Sequence, residues 1–521
     1  MRKSILFLAM SALILLMASC NSKEKKLIGH IPSDAVGAVA VNVKSLAQKS
    51  GGDISGGTFK LPPEIDSAFS KSSDDQNLKK SIEALPSSGI DFDCKAFVFF
   101  SSKNFQNGAL IKVSDSKALK QFLTDKAKLK ISDGDGCHYF VQGNAVTVFN
   151  DDVLFIGDAQ YSLSESKTLL EAQKLLTLDK KDTYLDDGDA VDALTTSDDA
   201  SIYFNYKSIK KTYIDEGEYK SIVNSNQFLS KLLNSDVSGL LCSVNFNDKD
   251  VTCSTKIIGD KDSPLCKLLD DVIGDPDSNA LKFIPKNAFS IFAFSLNGEA
   301  LLKIPEFAQL FANIPDNPYA SKDDLKKIIS DIDGDIIFSS YSIGDASESP
   351  FYGAIKTKDA KFVLDKISAV VGAGSGVTGL QNGEVAAMVT DSYGIIFGAK
   401  DGYLYFRTVP QPVTDSAYAD GVVKEIFDKS SWASYVDFRS GSPYASLISD
   451  YVGFNVSGYI KSGSSDMTIN SDLIIENPVC KNSLQALIKI ISAYTRNQSE
   501  KAASIGAMAE PDSIAADSVS Y

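Results

Sequence analysis

Two periodicities of apolar residues organise this chain. Alternation with a period of two predicts strands at 36–43, 96–101, 108–113, 138–142, 145–149, 152–157, 201–206, 238–246 and 251–258. Apolar residues three and four apart predict helices at 116–127, 161–175, 219–234 and 264–273. Successive strands are joined by stretches of turn formers such as "FNDDV" and "GAKDGY", which suit antiparallel neighbours. The fold class expected is α+β, a largely antiparallel sheet with helices packed on one face.

The pattern is then written a second time. "IPSDAVGAVAVNVKSL" at 31 is answered by "IPKNAFSIFAFSLNGEALL" at 284, and "GALIKVSDSKALKQFL" at 108 by "GAIKTKDAKFVLDKI" at 353. In the same order, "AVTVFNDDVLFIGDA" matches "YGIIFGAKDGYLYFRT", "SIYFNYKSI" matches "SYVDFRSG", "VSGLL" matches "VSGYI" and "SPLCKLL" matches "NPVCKNSL". Conserved order separates an internal duplication from coincidence. Two tandem modules are expected, at 31–275 and 284–494, joined by a turn-rich linker at 276–283. A fainter echo, "VNVKSL" against "FNYKSI", suggests a β-α-β-β-α unit used twice per module, with Asn ending each strand and Ser capping the following helix.

The chain begins with Arg2 and Lys3, then thirteen mostly apolar residues, Ile5 to Met17, then Ala18-Ser19-Cys20. This reads as a signal peptide at 1–19, since a bilayer-spanning helix needs about 20 apolar residues. Met17-Ala18-Ser19-Cys20 resembles the bacterial lipobox, which makes Cys20 the expected lipidation site and the first mature residue. Met17 stands where Leu is usual. Residues 20–30 read as a polar tether. Asn rather than Asp at 21 favours the outer membrane, with periplasmic face and cell surface both open. The last residues, 495–521, are rich in Ala, Ser and acids and read as a disordered tail.

Composition narrows function by exclusion. Fifty-two basic against 67 acidic side chains give a net charge of −15 with no basic stripe, which argues against nucleic acid as a partner. Apart from Cys20, the cysteines are Cys94, Cys137, Cys242, Cys253, Cys266 and Cys480, too sparse for a disulfide scaffold. A two-residue turn at Asn247-Asp248 would set Cys242 opposite Cys253, leaving a disulfide or two reduced core thiols as alternatives.

Candidate chemistry is thin. His30 and His138 are the only histidines; His30 beside the tether should be exposed, and His138 should lie at a strand edge. No Gly-x-Ser-x-Gly occurs, and "GSGVTG" at 374–379 follows a predicted helix where a dinucleotide site needs a strand. Asp331, Asp333 and Asp335 alternate as in a calcium loop, but Ile336 and Ser342 stand where Gly and Glu belong, and turn carboxylates are the alternative reading. Asp91 and Asp93, and Asp186, Asp187 and Asp189, form further acidic groups. Lys44, Lys207 and Arg439 end strands as solvated bases or groove residues, and Trp432 should open a strand. No catalytic, cofactor-binding or metal residue is assigned, and no cofactor is implied.

The lipobox, "IPSDAVGAVAVNVKSL" and the paired modules together resemble an uncharacterised family of Bacteroidota lipoproteins, a domain of unknown function. The resemblance implies an envelope lipoprotein and supplies no catalytic residue. The functional expectation is a lipid-anchored envelope protein acting as a binding or scaffold component, with the membrane and an envelope protein as partners. The alternative is an envelope hydrolase working through unidentified carboxylates.

Overall fold

The computed structural model describes residues 21–54, 57–68, 73–134, 136–217, 219–225, 237–259, 270–274, 276–285, 288–312, 320–340, 351–372, 383–390, 393–408, 424, 428, 430–437, 451–460, 467–475 and 480–492. Residues 1–19, expected to be a signal peptide, together with Cys20, Cys266, "GSGVTG", Arg439 and residues 495–521, lie outside them.

In the N-terminal half the strands are β1 (Gly37–Val41), β2 (Ala96–Phe100), β3 (Phe105–Lys112), β4 (Ser132–Gly134) and β5 (Cys137–Gln142). They continue with β6 (Ala145–Phe149), β7 (Val153–Ala159), β8 (Ala200–Asn205), β9 (Val237–Phe246) and β10 (Asp250–Gly259). The C-terminal half holds β11 (Ile273–Gly274), β12 (Ser290–Asn297), β13 (Ile332–Ser340), β14 (Phe351–Thr357) and β15 (Val385–Thr390). After these come β16 (Tyr393–Lys400), β17 (Tyr403–Thr408), β18 (Trp432–Val436), β19 (Tyr451–Ile460) and β20 (Met467–Ile475). All nine strands expected in the first half form, and Trp432 opens β18. The short β4, "SDG", carries no apolar residue and so leaves no alternation in the sequence.

Antiparallel pairs link these strands in the order β4, β5, β6, β7, β3, β2, β1, β8, β9, β10, β20, β19, β18, β12, β13, β14, β17, β16, β15. β11 pairs with the end of β12. With β4 and β11 set aside, the connectivity met on walking in from either edge is the same. β10 and β20 meet in the middle, with Asp250 opposite Ile474 and Ile257 opposite Met467.

Helices cover both faces of the N-terminal half, not one. On one face α1 (Asn21–Ile28) lies over the sheet, and the opposite face takes α2 (Val43–Lys49) and α3 (Ser116–Asp125). With α1 go α4 (Glu165–Leu175) and α5 (Gly188–Leu194). Ala38, Ala40, Phe97, Phe99, Leu110 and Phe155 join Leu27, Ala172, Leu175 and Leu194 in one core. Their strand neighbours Val41, Ala109, Ile111, Leu154 and Ile156 join Leu46, Leu119, Phe122 and Leu123 in the other. A strand apolar at consecutive positions, such as "GAVAV", is buried on both faces and therefore needs two layers of cover.

Four local expectations are corrected. Residues 20–30 are no tether: 21–28 are helical, with Leu27, Ile28 and even Glu24 at 2% exposure or less. One apolar pair, "LI", is enough to dock a helix whose other residues are polar. Residues 276–283 are no free linker either, since a 3-10 helix at Ser278–Phe283 buries Ala280 and Leu281. Cys242 faces Thr255, and Cys253 faces Val244, because the connection runs from Phe246 to Val251 and is closed by Asn247 and Asp250; both thiols are free. The helix caps are asparagines rather than serines: Asn42, Asn205 and Asn297 side chains accept from the amides of Ser45, Ser208 and Ala300. The helix expected at 219–234 is seen at Lys220–Ser225, and that at 264–273 falls mostly outside the described residues.

Candidate functional site

A dense set of polar side chains surrounds a cavity at the strand ends where β3 and β6 finish and β7 begins. Leu119, Phe122 and Leu123 bury one face of α3, which turns Lys117, Lys120, Gln121 and Thr124 toward this cavity. The helix is started there by Asp115, whose carboxylate accepts from the amides of Lys117 and Ala118. Asn150 closes the β6–β7 turn by accepting from the amides of Asp152 and Val153, which presents Asp151 and Asp152.

The pairing of β4 with β5 sets Asp133 directly opposite His138. His138 Nδ1 lies 2.6 Å from Asp133 Oδ1, and Lys120 Nζ donates to the same oxygen at 2.6 Å. Lys120, then His138, hold the Asp133 carboxyl below its usual range. The imidazole lies 5.0 Å from the Phe149 ring, centre to centre. Ser116 Oγ donates to Asp151, and Lys112 pairs with Asp152 at 2.5 Å. Two adjoining cavities of about 640 and 450 Å³ share Ser116, His138 and Asp151 in their linings.

This arrangement orients an imidazole by a carboxylate, the positioning half of a base-assisted mechanism. The nucleophilic half is not assembled: the Ser116 proton goes to Asp151 rather than to His138. Among the described residues no three histidine, cysteine or acidic side chains converge as metal ligands. His138 lies at the start of β5 but not at an edge, because β4 pairs with it on one side and β6 on the other; β4, which carries Asp133, has no apolar signature.

The remaining candidates are dispersed. His30 is half-buried, its Nδ1 3.1 Å from the Leu175 carbonyl, and burial lowers its pKa. Lys44 pairs with Asp93 at 2.6 Å, Asp91 accepts from Lys23 at 2.7 Å, and Lys207 is exposed. Asp187 caps α5 and accepts from Tyr203, while Asp189 accepts from Ser238. Asp331 pairs with Lys327, Asp333 is exposed, and Asp335 is buried, accepting from the Tyr403 hydroxyl at 2.6 Å and the Asp277 amide at 2.7 Å.

Two buried charges went unforeseen. Asp199, 1% exposed, accepts from Ser45 Oγ at 2.5 Å, Lys49 Nζ at 2.6 Å and the Phe246 amide at 2.7 Å, tying α2 to the β9 end. Lys95, 2% exposed, donates to the Leu194 and Thr196 carbonyls just past α5. Burial lowers the Lys95 pKa and the charge of buried Glu24 opposes that. Nothing in "DCKAF" marks this lysine as internal.

A second surface stands out on the C-terminal half. Phe292 of β12 faces Phe338 of β13, Phe338 faces Gly353 of β14, Gly353 faces Phe406 of β17, and Phe406 faces Phe397 of β16. With no side chain at Gly353, the Phe406 ring lies over it and reaches Phe338 at 5.6 Å between centroids. Phe292 and Phe338 are 40% and 39% exposed, so the row opens to solvent.

A family model described as "Domain of unknown function (DUF4836)" matches residues 29–431. No curated protein matches the chain. Among solved structures, "Structure of crystal form IV of TP0453" is similar at 11% identity and a TM-score of 0.25, over 47% of this chain and 85% of that one. Crystal form III of the same protein gives 10% identity and a TM-score of 0.25, over 48% of this chain and 86% of that one. At such scores the likeness says nothing of what this chain binds.

Proposed function

We propose that this chain, which belongs to the DUF4836 family, is a lipid-anchored cell-envelope protein that acts as a binding or scaffold component. In this reading residues 1–19 are a lipoprotein signal, Cys20 carries the acyl chains, and the protein resides at the outer membrane of a Bacteroidota-type cell. Its body is two copies of one α+β unit. The ladder supports the duplication: Val39 pairs with Val98 and Ile202 as Phe292, 253 residues later, pairs with Phe338 and Ser434.

The observation that carries the binding role is the exposed phenylalanine row. The corresponding face of the N-terminal half shows what such a row takes: there the chain's own Leu85, Ile90, Leu119 and Phe122 cover it. The partner is therefore a protein segment presenting aliphatic and aromatic side chains to the C-terminal half. Acylated wild-type protein and the Phe292→Ser/Phe338→Ser variant are to be captured from native envelopes in parallel. One stoichiometric protein retained by the wild type and lost by the variant supports the role; equal recovery, or none, refutes it.

The hydrolase alternative gains an oriented imidazole at His138 and lacks a coupled nucleophile.

A further inference from the structure

We infer that the N-terminal half rests on the bilayer in one fixed orientation, with the end bearing Lys25, Lys26, Lys117 and the His138 cavity against the lipid headgroups. This rests on the lipid-anchor reading of Cys20 and specifies the geometry that follows from it.

The first support is the absence of slack. Helix α1 already runs at residue 21, the residue that follows the expected acylation site. Glu24, Leu27 and Ile28 of that helix are at most 2% exposed, and Lys23 is fastened to Asp91 at 2.7 Å. Four residues of helix span about 6 Å, so an acyl chain on residue 20 holds the folded body within roughly one helical turn of the interface. A body docked this closely to its anchor keeps the end that carries the anchor nearest the membrane.

The second support is which end α1 starts from. Asp91, bound by Lys23, donates its amide to the Lys112 carbonyl at the end of β3, and Lys112 pairs with Asp152 in the β6–β7 turn. The start of α1 is therefore at the same strand ends as the His138 cavity. The other end of this half is marked by the Ser33 amide bonded to the Asp182 carbonyl, beside exposed Lys180 and Lys181.

The third support is charge. The molecule carries a net −15, which an anionic bilayer repels. At the α1 end, however, Asp91, Asp93, Asp133 and Asp152 are each paired with a lysine of that same end, while Asp115, Asp125 and Asp151 are exposed and form no ion pair among the described residues. Lys25, Lys26 and Lys117 are exposed there and form no ion pair among the described residues. Three unpaired lysines against three unpaired aspartates leave this end close to neutral, so an anionic headgroup surface repels it less than it repels the body as a whole.

The test is lysine-reactivity footprinting of the full acylated chain on vesicles of phosphatidylethanolamine and phosphatidylglycerol, against the same protein in detergent. Lys25, Lys26 and Lys117 should react several-fold more slowly on vesicles, while Lys180 and Lys181 are unchanged. Equal reactivity at both sets, or protection at Lys180 and Lys181, overturns the orientation. A flexible ten-residue insertion between Asn21 and Ser22 should abolish the protection while leaving vesicle binding intact; protection that survives it also overturns the proposal. Mass spectrometry of the N-terminal peptide separates the two levels, since an unacylated Cys20 defeats the anchor reading itself.

Discussion

The same row of the sheet is aliphatic in one half and aromatic in the other. In the N-terminal half it reads Val39, Val98, Ala109, Ile156, each opposite the next. In the C-terminal half it reads Phe292, Phe338, Gly353, Phe406. The first row lies under a closed core, and the second is open at Phe292 and Phe338. Small branched side chains leave room for a covering layer made by the chain itself, whereas stacked rings project from the sheet and offer a contact surface. One ladder thus supports two surfaces of different use.

The halves also differ in a buried charge at one ladder position. Two residues before Phe97, which faces Leu110, stands Lys95; two residues before Ile337, which faces Ala354, stands Asp335. Both are essentially without solvent exposure. Each is served by the segment leading into its half, Glu24 through its charge and Asp277 through its amide. Glu24 and Asp277 each precede the shared Ile-Pro by seven residues. The position keeps a buried polar group and lets its sign reverse, because a lysine can be satisfied by carbonyls and an aspartate by N–H and O–H donors.

The largest test of the contrast is truncation of one ring in each half. Phe99→Ala, at a fully buried site stacked on Phe155, should cost about 3–5 kcal/mol by denaturant unfolding. Phe338→Ala should cost about 1 kcal/mol or less; comparable losses would mean that the open row is core. Next in size, Lys95→Met should cost about 3 kcal/mol by removing a positive charge that faces buried Glu24, and adding Glu24→Gln should restore part of it; a double-mutant cycle with no coupling would separate the two groups. Tyr403→Phe, which removes one donor to buried Asp335, should cost about 1–2 kcal/mol, whereas truncating the hydroxyl of exposed Tyr161 should cost nothing measurable.

The smallest effect is a pH slope. His30 is held neutral by burial, its folded pKa below 6.5. Its unfolded form takes up a proton first as pH falls, so stability is complete above pH 6.5 and declines from there toward the folded pKa. His30→Gln should flatten that part of the stability profile, and an unchanged slope would assign it to other groups.

How much could be read in advance follows from the range of each interaction. Strand alternation found "VSGLLCSVNF" and "DVTCSTKIIG" almost to the residue, because side-chain direction in a strand is set locally. It missed their register by two residues, because the Asn247 to Asp250 closure, not the strands, fixes it. His138 was legible as the start of a strand, but its bond to Asp133 and its sharing of a cavity with Ser116 and Asp151 required α3, β4, β5 and the β6–β7 turn to converge. Asp199 and its neighbour Asp198 look alike in the sequence, yet one is a buried hub joining three donors.

By itself the sequence determined the α+β class and the antiparallel succession of strands, both of which depend on neighbours a few residues apart. Only the tertiary structure decided that the polar lead-in is a docked helix, that both faces of the N-terminal half are covered, and that Phe292 and Phe338 of the C-terminal half stay open to solvent. Burial is a property of what arrives from elsewhere in the chain, and alternation along a strand carries no record of it.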